Sequence, residues 1–293
     1  MLQPITDRIF FLPDPNQAVI PYCHCLYVDD DRKVLIDSSS GPHLLQALAG
    51  KRVDLLLTTH FHEDHILNHD AFPEAEIWAH YLDAPGIRSQ EGFKTLYGFN
   101  VFGQEELGNL FIKGFGIKDD YRVDAEFTDG QVFDLGHTRV QVMHLPGHTA
   151  GHSGFYFPEE HILFAGDIDL SGFGPWYGNV VSDVDQFIAS IKKINELNPR
   201  MIISSHKGVI KNDITLQLNN YLQGIYQREE ELLAVLRQPQ DLDQLADRHL
   251  IYGKRREPYE IYRFGEKTSL MVHLRRLQGL GVVTREGGIY YRQ

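Results

Sequence analysis

The segment His60-Phe61-His62-Glu63-Asp64-His65 places three imidazoles and two carboxylates within six residues. It directly follows Val53-Asp54-Leu55-Leu56-Leu57-Thr58-Thr59, an apolar run of strand length. A continuous apolar run of this length fits a strand covered on both faces. The charged segment therefore sits on a loop at that strand's C-terminal end, the edge where α/β sheets open ligand crevices. In a turn leading from a strand into a helix, residues spaced one and two apart converge on two neighbouring points. His60 and His62 can meet at one, Asp64 and His65 at the next. Imidazole with carboxylate is a ligand set for zinc, and also for iron or manganese.

Three further positions repeat this placement. His148 lies in Leu145-Pro146-Gly147-His148-Thr149-Ala150-Gly151-His152, after the strand-like stretch 138–145. Asp167 closes the stretch 161–167, and His206 follows 201–205. Histidines that were merely satisfied in the core would not recur at the C-terminal ends of apolar strands. Asp37, Thr59, Thr149 and His152 are candidates to hold the outward nitrogens of such histidines, which usually donate to a carboxylate, carbonyl or hydroxyl.

The ordered set H-x-H-x-D-H, G-H-T-x-G-H, G-D and S-S-H resembles the metallo-β-lactamase superfamily, and within it the glyoxalase II-like hydrolases, over about residues 5–211. The resemblance implies an α/β (α+β) fold, a four-layer αββα sandwich with metals at one edge. By the same resemblance His60, His62 and His148 would hold one ion, Asp64, His65 and His206 the second, and Asp167 would bridge them. His62 stands where the diiron oxygen reductases of the superfamily look like H-x-E-x-D-H. Lys207 departs from the Gly or Glu often found after the last histidine.

These ligands imply two divalent metal ions, zinc first, with iron or manganese as alternatives. Metal binding lowers the pKa of a water to about 7. The expected reaction is hydrolysis of a small thioester or ester by a hydroxide bridging the metals, with Asp64 and Asp167 as the catalytic carboxylates. No G-x-S-x-G or Ser/His/Asp set competes with this reading. A metal-dependent ribonuclease and a mononuclear iron thiol dioxygenase are the alternative activities.

Residues 83–125 carry no steady period but many glycines and aromatics, and read as a lid-like insert in a catalytic domain spanning 1–211. Phe173, Trp176, Tyr177 and Lys207 lie close in sequence to the metal loops and are candidate substrate contacts. From residue 212 the texture turns helical, with helices expected over 216–237, 241–249 and 269–279, then two short strands around Glu286-Gly287-Gly288. The domain 212–293 thus reads as a helical linker and a winged-helix-like unit, with His273, Arg275 and Arg276 as the polar side of its last helix.

Charge bears on partners. The chain carries a formal net charge of −12, yet residues 237–293 hold 11 Lys/Arg against 7 Asp/Glu. An acidic catalytic part suits a small-molecule substrate better than a polyanion, and the basic tail keeps nucleic acid as a second candidate partner. No stretch approaches the length of a membrane helix, and the N-terminus lacks a basic start and apolar core. A cytoplasmic location with no membrane partner is expected, and the sequence leaves the oligomeric state open. Cys23 and Cys25, the only cysteines, flank His24 at strand spacing and are expected to be buried thiols rather than metal ligands.

Overall fold

Val34, Leu35 and Ile36 are all fully buried, as are Leu55, Leu56 and Leu57. Successive residues of a strand point to opposite faces, so unbroken apolar runs require cover on both sides. The computed structural model describes residues 1–293, apart from the Pro42 side chain, and supplies that cover. A seven-stranded sheet runs in chain order through Gln3–Pro4, Ile9–Leu12, Cys25–Val28, Val34–Ile36, Leu55–Leu57, Glu76–His80 and Ala125–Phe127. Its first four strands are antiparallel neighbours, and the last four run parallel. A six-stranded sheet is ordered Gly208–Ile210, Met201–Ser204, Ile162–Phe164, Ser153–Phe157, Arg139–His144, Val132–Asp134.

The sheets pack face to face. Leu26, Ile36 and Leu57 on one inner face meet Val142, Phe155 and Phe164 on the other. On the outside of the first sheet, Leu44 and Leu48 in and after the helix Pro42–Ala47 cover Leu35 and Leu56. On the outside of the second, the helices Val184–Leu197 and Ile214–Val235 cover Leu163 and Ile202. The result is the four-layer αββα sandwich.

Several elements differ from the sequence expectation. The strand that holds Cys25 begins at that residue, so Cys23, expected at strand spacing from it, lies in the loop 18–24. Residues 83–125 are largely helical: Ala84–Arg88, Gln90–Tyr97 and Glu105–Phe115. These helices are too short to display a clear period, and the latter two end on left-handed Gly98 and Gly116, so their glycines are caps rather than signs of irregularity. The aromatics of this region pack with one another and with Phe264 from the C-terminal helix. The strands Gln3–Pro4, Ile9–Leu12, Ala125–Phe127, Val132–Asp134 and Gly208–Ile210 have no counterpart in the sequence expectation, being too short to show a period of two.

The C-terminal part contains the helices Leu242–Ala246 and Tyr259–Gly279 and the hairpin Val283–Glu286 with Ile289–Arg292. The last helix starts at Tyr259 rather than near Ser269, because Gly265 and the charged residues near it blur the apolar period. Leu245, Leu270, Leu274 and Tyr290 form a separate small core with Leu232 and Leu236. The connecting helix Ile214–Val235 serves both parts: Leu218, Tyr221 and Ile225 pack on the sandwich and Leu232 on the C-terminal core. Among the described residues, no helix is long and apolar enough to cross a membrane.

Phe155 is fully buried between the sheets and meets Phe127 edge-on. Phe155→Ala should lower the unfolding free energy by about 3–5 kcal/mol, read as a shift in denaturant midpoint. A loss below about 1 kcal/mol would contradict this account of the core.

Candidate metal centre

All the loops that carry the candidate ligands leave the same edge of the sandwich. Leu55–Leu57 leads to His60, His62, Asp64 and His65, the last two on the one-turn helix Glu63–Ile66. Arg139–His144 leads to His148, Ile162–Phe164 to Asp167, and Met201–Ser204 to His206. His60 Nε2, His62 Nδ1 and His148 Nε2 stand 2.9–3.1 Å from one another. Asp167 Oδ2 lies 3.3 Å from His148 Nε2 and 3.3 Å from His206 Nε2, and Asp167 Oδ1 lies 3.3 Å from His65 Nε2. Asp64 Oδ2 is 3.3 Å from His206 Nε2, and Asp64 Oδ1 3.6 Å from His65 Nε2. The structure thus gathers all seven side chains into two adjacent groups that share Asp167.

The outward nitrogens are held, and this sets which nitrogen points inward. His65 Nδ1–H donates to Asp37 Oδ2 at 2.8 Å, His148 Nδ1–H to the Trp176 carbonyl at 2.8 Å, and His206 Nδ1–H to the Ala18 carbonyl at 2.8 Å. His60 Nδ1 meets the Thr59 hydroxyl at 3.0 Å, and that hydroxyl donates to Asp37 Oδ2 at 2.9 Å. The side-chain amide of Asn179 lies 3.2 Å from His62 Nε2. Nε2 of His60, His65, His148 and His206 and Nδ1 of His62 therefore face one another, an arrangement that suits a cation between them. His65 Nε2 and Asp167 Oδ1 are buried without a hydrogen-bond partner, where a buried polar atom ordinarily has one. The residues fit a pair of cations on both counts.

Electrostatics agree. Burial, reinforced by neighbouring imidazoles, holds His60 and His62 well below the ordinary histidine range, so both are neutral donors. Burial also lowers His148. At His65 and His206 burial pulls the same way, but the carboxylates outweigh it: Asp37, Asp64 and Asp167 hold His65 well above its usual value, and Asp167 and Asp64 do so for His206. Asp167 is correspondingly held well below the carboxylate range, against the effect of its burial, by His206 and His65.

The structure also locates the supporting candidates. Asp37 and Thr59 lie behind His60 and His65, as above. His152 Nε2 accepts the Asp167 backbone N–H at 3.0 Å, and its Nδ1–H donates to the Leu145 carbonyl at 2.9 Å. Thr149 instead donates to Asp83 Oδ2 at 2.6 Å, and Asp83 also accepts the backbone N–H groups of Gly151 and Phe61. Asp83 thereby fastens the loop of His60 and His62 to the loop of His148, and sequence reasoning missed it. Its signal was the same as for the others: it follows the strand Glu76–His80 at the same edge. Asn179 and Ser182, which both donate to the His148 carbonyl, carried no such signal.

A cavity of about 190 Å³ opens over the centre, bounded by Ile20, Glu63, Tyr97, Phe173, Trp176 and Tyr221 together with His62, Asp64, His148, Asp167 and His206. Phe173 and Trp176 line it. Tyr177 does not: it is fully buried, with its hydroxyl 2.6 Å from His273 Nε2 and 2.9 Å from an Arg228 nitrogen. Lys207 lines the neighbouring groove, where its ammonium donates to the Leu170 carbonyl and Gln217 Oε1 at 2.7 Å. Cys23 and Cys25 are buried free thiols with Sγ atoms 3.9 Å apart. Cys23 lies beside Asp37 and His65, behind the centre.

The sequence profile of the metallo-beta-lactamase superfamily matches residues 21–206. An atrochrysone carboxyl ACP thioesterase of Pseudocercospora fijiensis is 31% identical over 145 residues, 48% of this chain and 42% of the fungal protein. The chain thus spans less than half the length of that relative. The hydroxyacylglutathione hydrolase GloC of Haemophilus influenzae is 26% identical over 66% of this chain and 88% of its own. The crystal structure of a metallo-beta-lactamase family protein from Thermus thermophilus superposes with a TM-score of 0.76 at 23% identity, covering 99% of this chain and 100% of that one. The fold is therefore shared through the C-terminal part as well.

His69, fully buried beneath the ligand loop with Nε2 3.2 Å from the Thr58 hydroxyl, is lowered by burial to about 3. Below its unfolded value, near 6.5, the unfolded chain takes up a proton that the folded chain refuses. Its stabilising contribution is complete above about pH 6.5 and is lost as pH falls toward 3, at about 1.4 kcal/mol per unit. His69→Gln should flatten the acid limb by that slope when unfolding is measured at about pH 6.5, 5.5 and 4.5. Parallel profiles for the two proteins would refute the assignment.

Proposed function

Because the chain belongs to the metallo-beta-lactamase superfamily, we propose that it is a hydrolase that uses two divalent metal ions, zinc first, to cleave a small thioester or ester. The observation that carries the reading is the Asp167 carboxylate shared by two groups of inward-facing histidines. His60, His62 and His148 would hold one ion, Asp64, His65 and His206 the other, with Asp167 between them. Bound there, the ions would acidify a water and polarise the scissile carbonyl.

The chain's own contribution is orientation and water exclusion. Asp37, Thr59, Ala18 and Trp176 hold the imidazoles, which preserves the geometry between turnovers. Trp176, Phe173 and Ile20 give the cavity apolar walls suited to an acyl group, and Tyr97 keeps the buried Glu63 carboxyl occupied by donating to it at 2.8 Å. The adjoining groove of about 490 Å³ shares Ser171, Phe173, Gly174 and Tyr221 with this cavity and adds Lys207, Gln217 and Arg228. It suits a polar leaving group. The thioesterase and hydroxyacylglutathione hydrolase names of the fungal and Haemophilus relatives support the same substrate class.

The ribonuclease alternative is disfavoured by the placement of the last helix. His273 is buried, and Arg276 pairs with Glu229 and Asp185. Arg275 reaches the Ser182 carbonyl. The side expected to face nucleic acid is turned largely onto the catalytic part.

Purified protein should contain two metals per chain by elemental analysis and should turn over members of a thioester panel. His62→Ala should lower the metal content and reduce kcat/KM by at least about a hundredfold, since even losing a partner behind a ligand costs about 10–100-fold. Cleavage of labelled single-stranded RNA without thioester turnover would overturn the reading. One iron per chain with thiol oxidation would replace it with the dioxygenase.

A further inference from the structure

The wall of the centre formed by residues 173–182 is gripped from behind by the C-terminal part. Arg228 donates to the Phe173 carbonyl at 2.6 Å, and Thr268 donates to the Gly178 carbonyl at 2.8 Å. His273 meets the Tyr177 hydroxyl. One of these contacts leads straight to the proposed ligands. The indole N–H of Trp176 donates to the Tyr252 hydroxyl at 3.0 Å. That indole stands edge-on to His62 with ring centres 5.3 Å apart and leans on His148 at 5.5 Å. The carbonyl of the same residue receives His148 Nδ1–H.

Two glycines make room for this contact. A Cβ at Gly178 would lie 2.4 Å from the indole of Trp176. A Cβ at Gly265 would lie 2.5 Å from the Tyr252 hydroxyl oxygen. Gly265 sits inside the helix Tyr259–Gly279, where glycine weakens a helix and alanine would strengthen it. Space for the tyrosine hydroxyl accounts for a residue that helix formation alone disfavours. Tyr252 is itself packed against Phe173 and Tyr262, so its hydroxyl is presented from a fixed ring.

We propose that Tyr252, contributed by the C-terminal part, is a positioning residue for the metal centre: it holds Trp176 so that this residue's carbonyl orients His148 and its indole closes the cavity over His62. The inference rests on the metal-hydrolase reading and extends it, because it makes the C-terminal part a component of the active site. Phenylalanine at 252 keeps the ring and removes the oxygen that accepts the indole N–H. Alanine at 265 keeps the oxygen and pushes it away.

The test uses the full-length chain loaded with Zn2+. Zinc retention is measured by competition with a chromogenic chelator, unfolding by circular dichroism, and kcat and KM with the best thioester. Tyr252→Phe and Gly265→Ala should each weaken zinc retention and lower kcat/KM about fivefold, the scale of one lost hydrogen bond, with much of the loss in KM. The unfolding midpoint should stay within about 3 °C. Zinc retention equal to wild type in both variants would overturn the proposal, as would a lowered midpoint with unchanged retention, the mark of a purely structural contact. If the wild type turns over no thioester, the hydrolase reading fails while the zinc measurement still decides the role of Tyr252.

Discussion

Three carboxylates, the buried Asp37 and Asp64 and the largely buried Asp167, lie at one edge of the sandwich within reach of the same few histidines. Burying charge is unfavourable unless opposite charge accompanies it, and this requirement organises the rest of the site. Without metal, the balance comes from His65 and His206, which these carboxylates hold well above the usual histidine range. The remaining imidazoles, His60, His62 and His148, stay neutral because burial outweighs the carboxylates there. Cations between the groups would relieve both features at once. They would replace the two protons as counter-charge and would satisfy the converging lone pairs.

Such a cluster keeps its shape only if the loops bearing it cannot drift, and the fold restrains them from three directions. From below, the sheets end together, so the strands Leu55–Leu57, Glu76–His80, Arg139–His144, Ile162–Phe164 and Met201–Ser204 deliver their loops to one edge. From the side, Asp83 ties the loop of His60 and His62 to that of His148 through buried hydrogen bonds to Phe61, Thr149 and Gly151. From behind, the C-terminal helices hold residues 173–182, whose side chains and carbonyls border both the cavity and His148. The long helix Ile214–Val235 couples this last support to the sandwich, since its two ends belong to different cores.

The legible part of the sequence was the part with local chemistry. Each candidate ligand announced itself by a charged or imidazole side chain directly after an apolar strand, and the seven so chosen do come together. The unbroken apolar run 53–59 likewise implied a covered strand. Short elements were less legible. Strands of two to four residues are below the length at which a period of two can be recognised, and two of the three helices between 84 and 115 end on glycines that resembled disorder of pattern. Asp83 was readable by the same edge rule and was overlooked, whereas nothing in the neighbourhood of Asn179 or Tyr252 marks either one.

The sequence by itself therefore determined the candidate ligands and their places at strand ends, because both are local properties of the chain, and the motifs they form carried the family resemblance that implied the sandwich. The tertiary structure alone decided which groups hold those ligands, where Tyr177 and Lys207 point, and which way the last helix faces. Those depend on contacts between residues far apart in the chain. Trp176 meets Tyr252 only because the loop beside the centre and the turn before the last helix come together and two glycines leave room for them to touch. No window of sequence contains that geometry, since it is set by how the two cores pack on a shared helix.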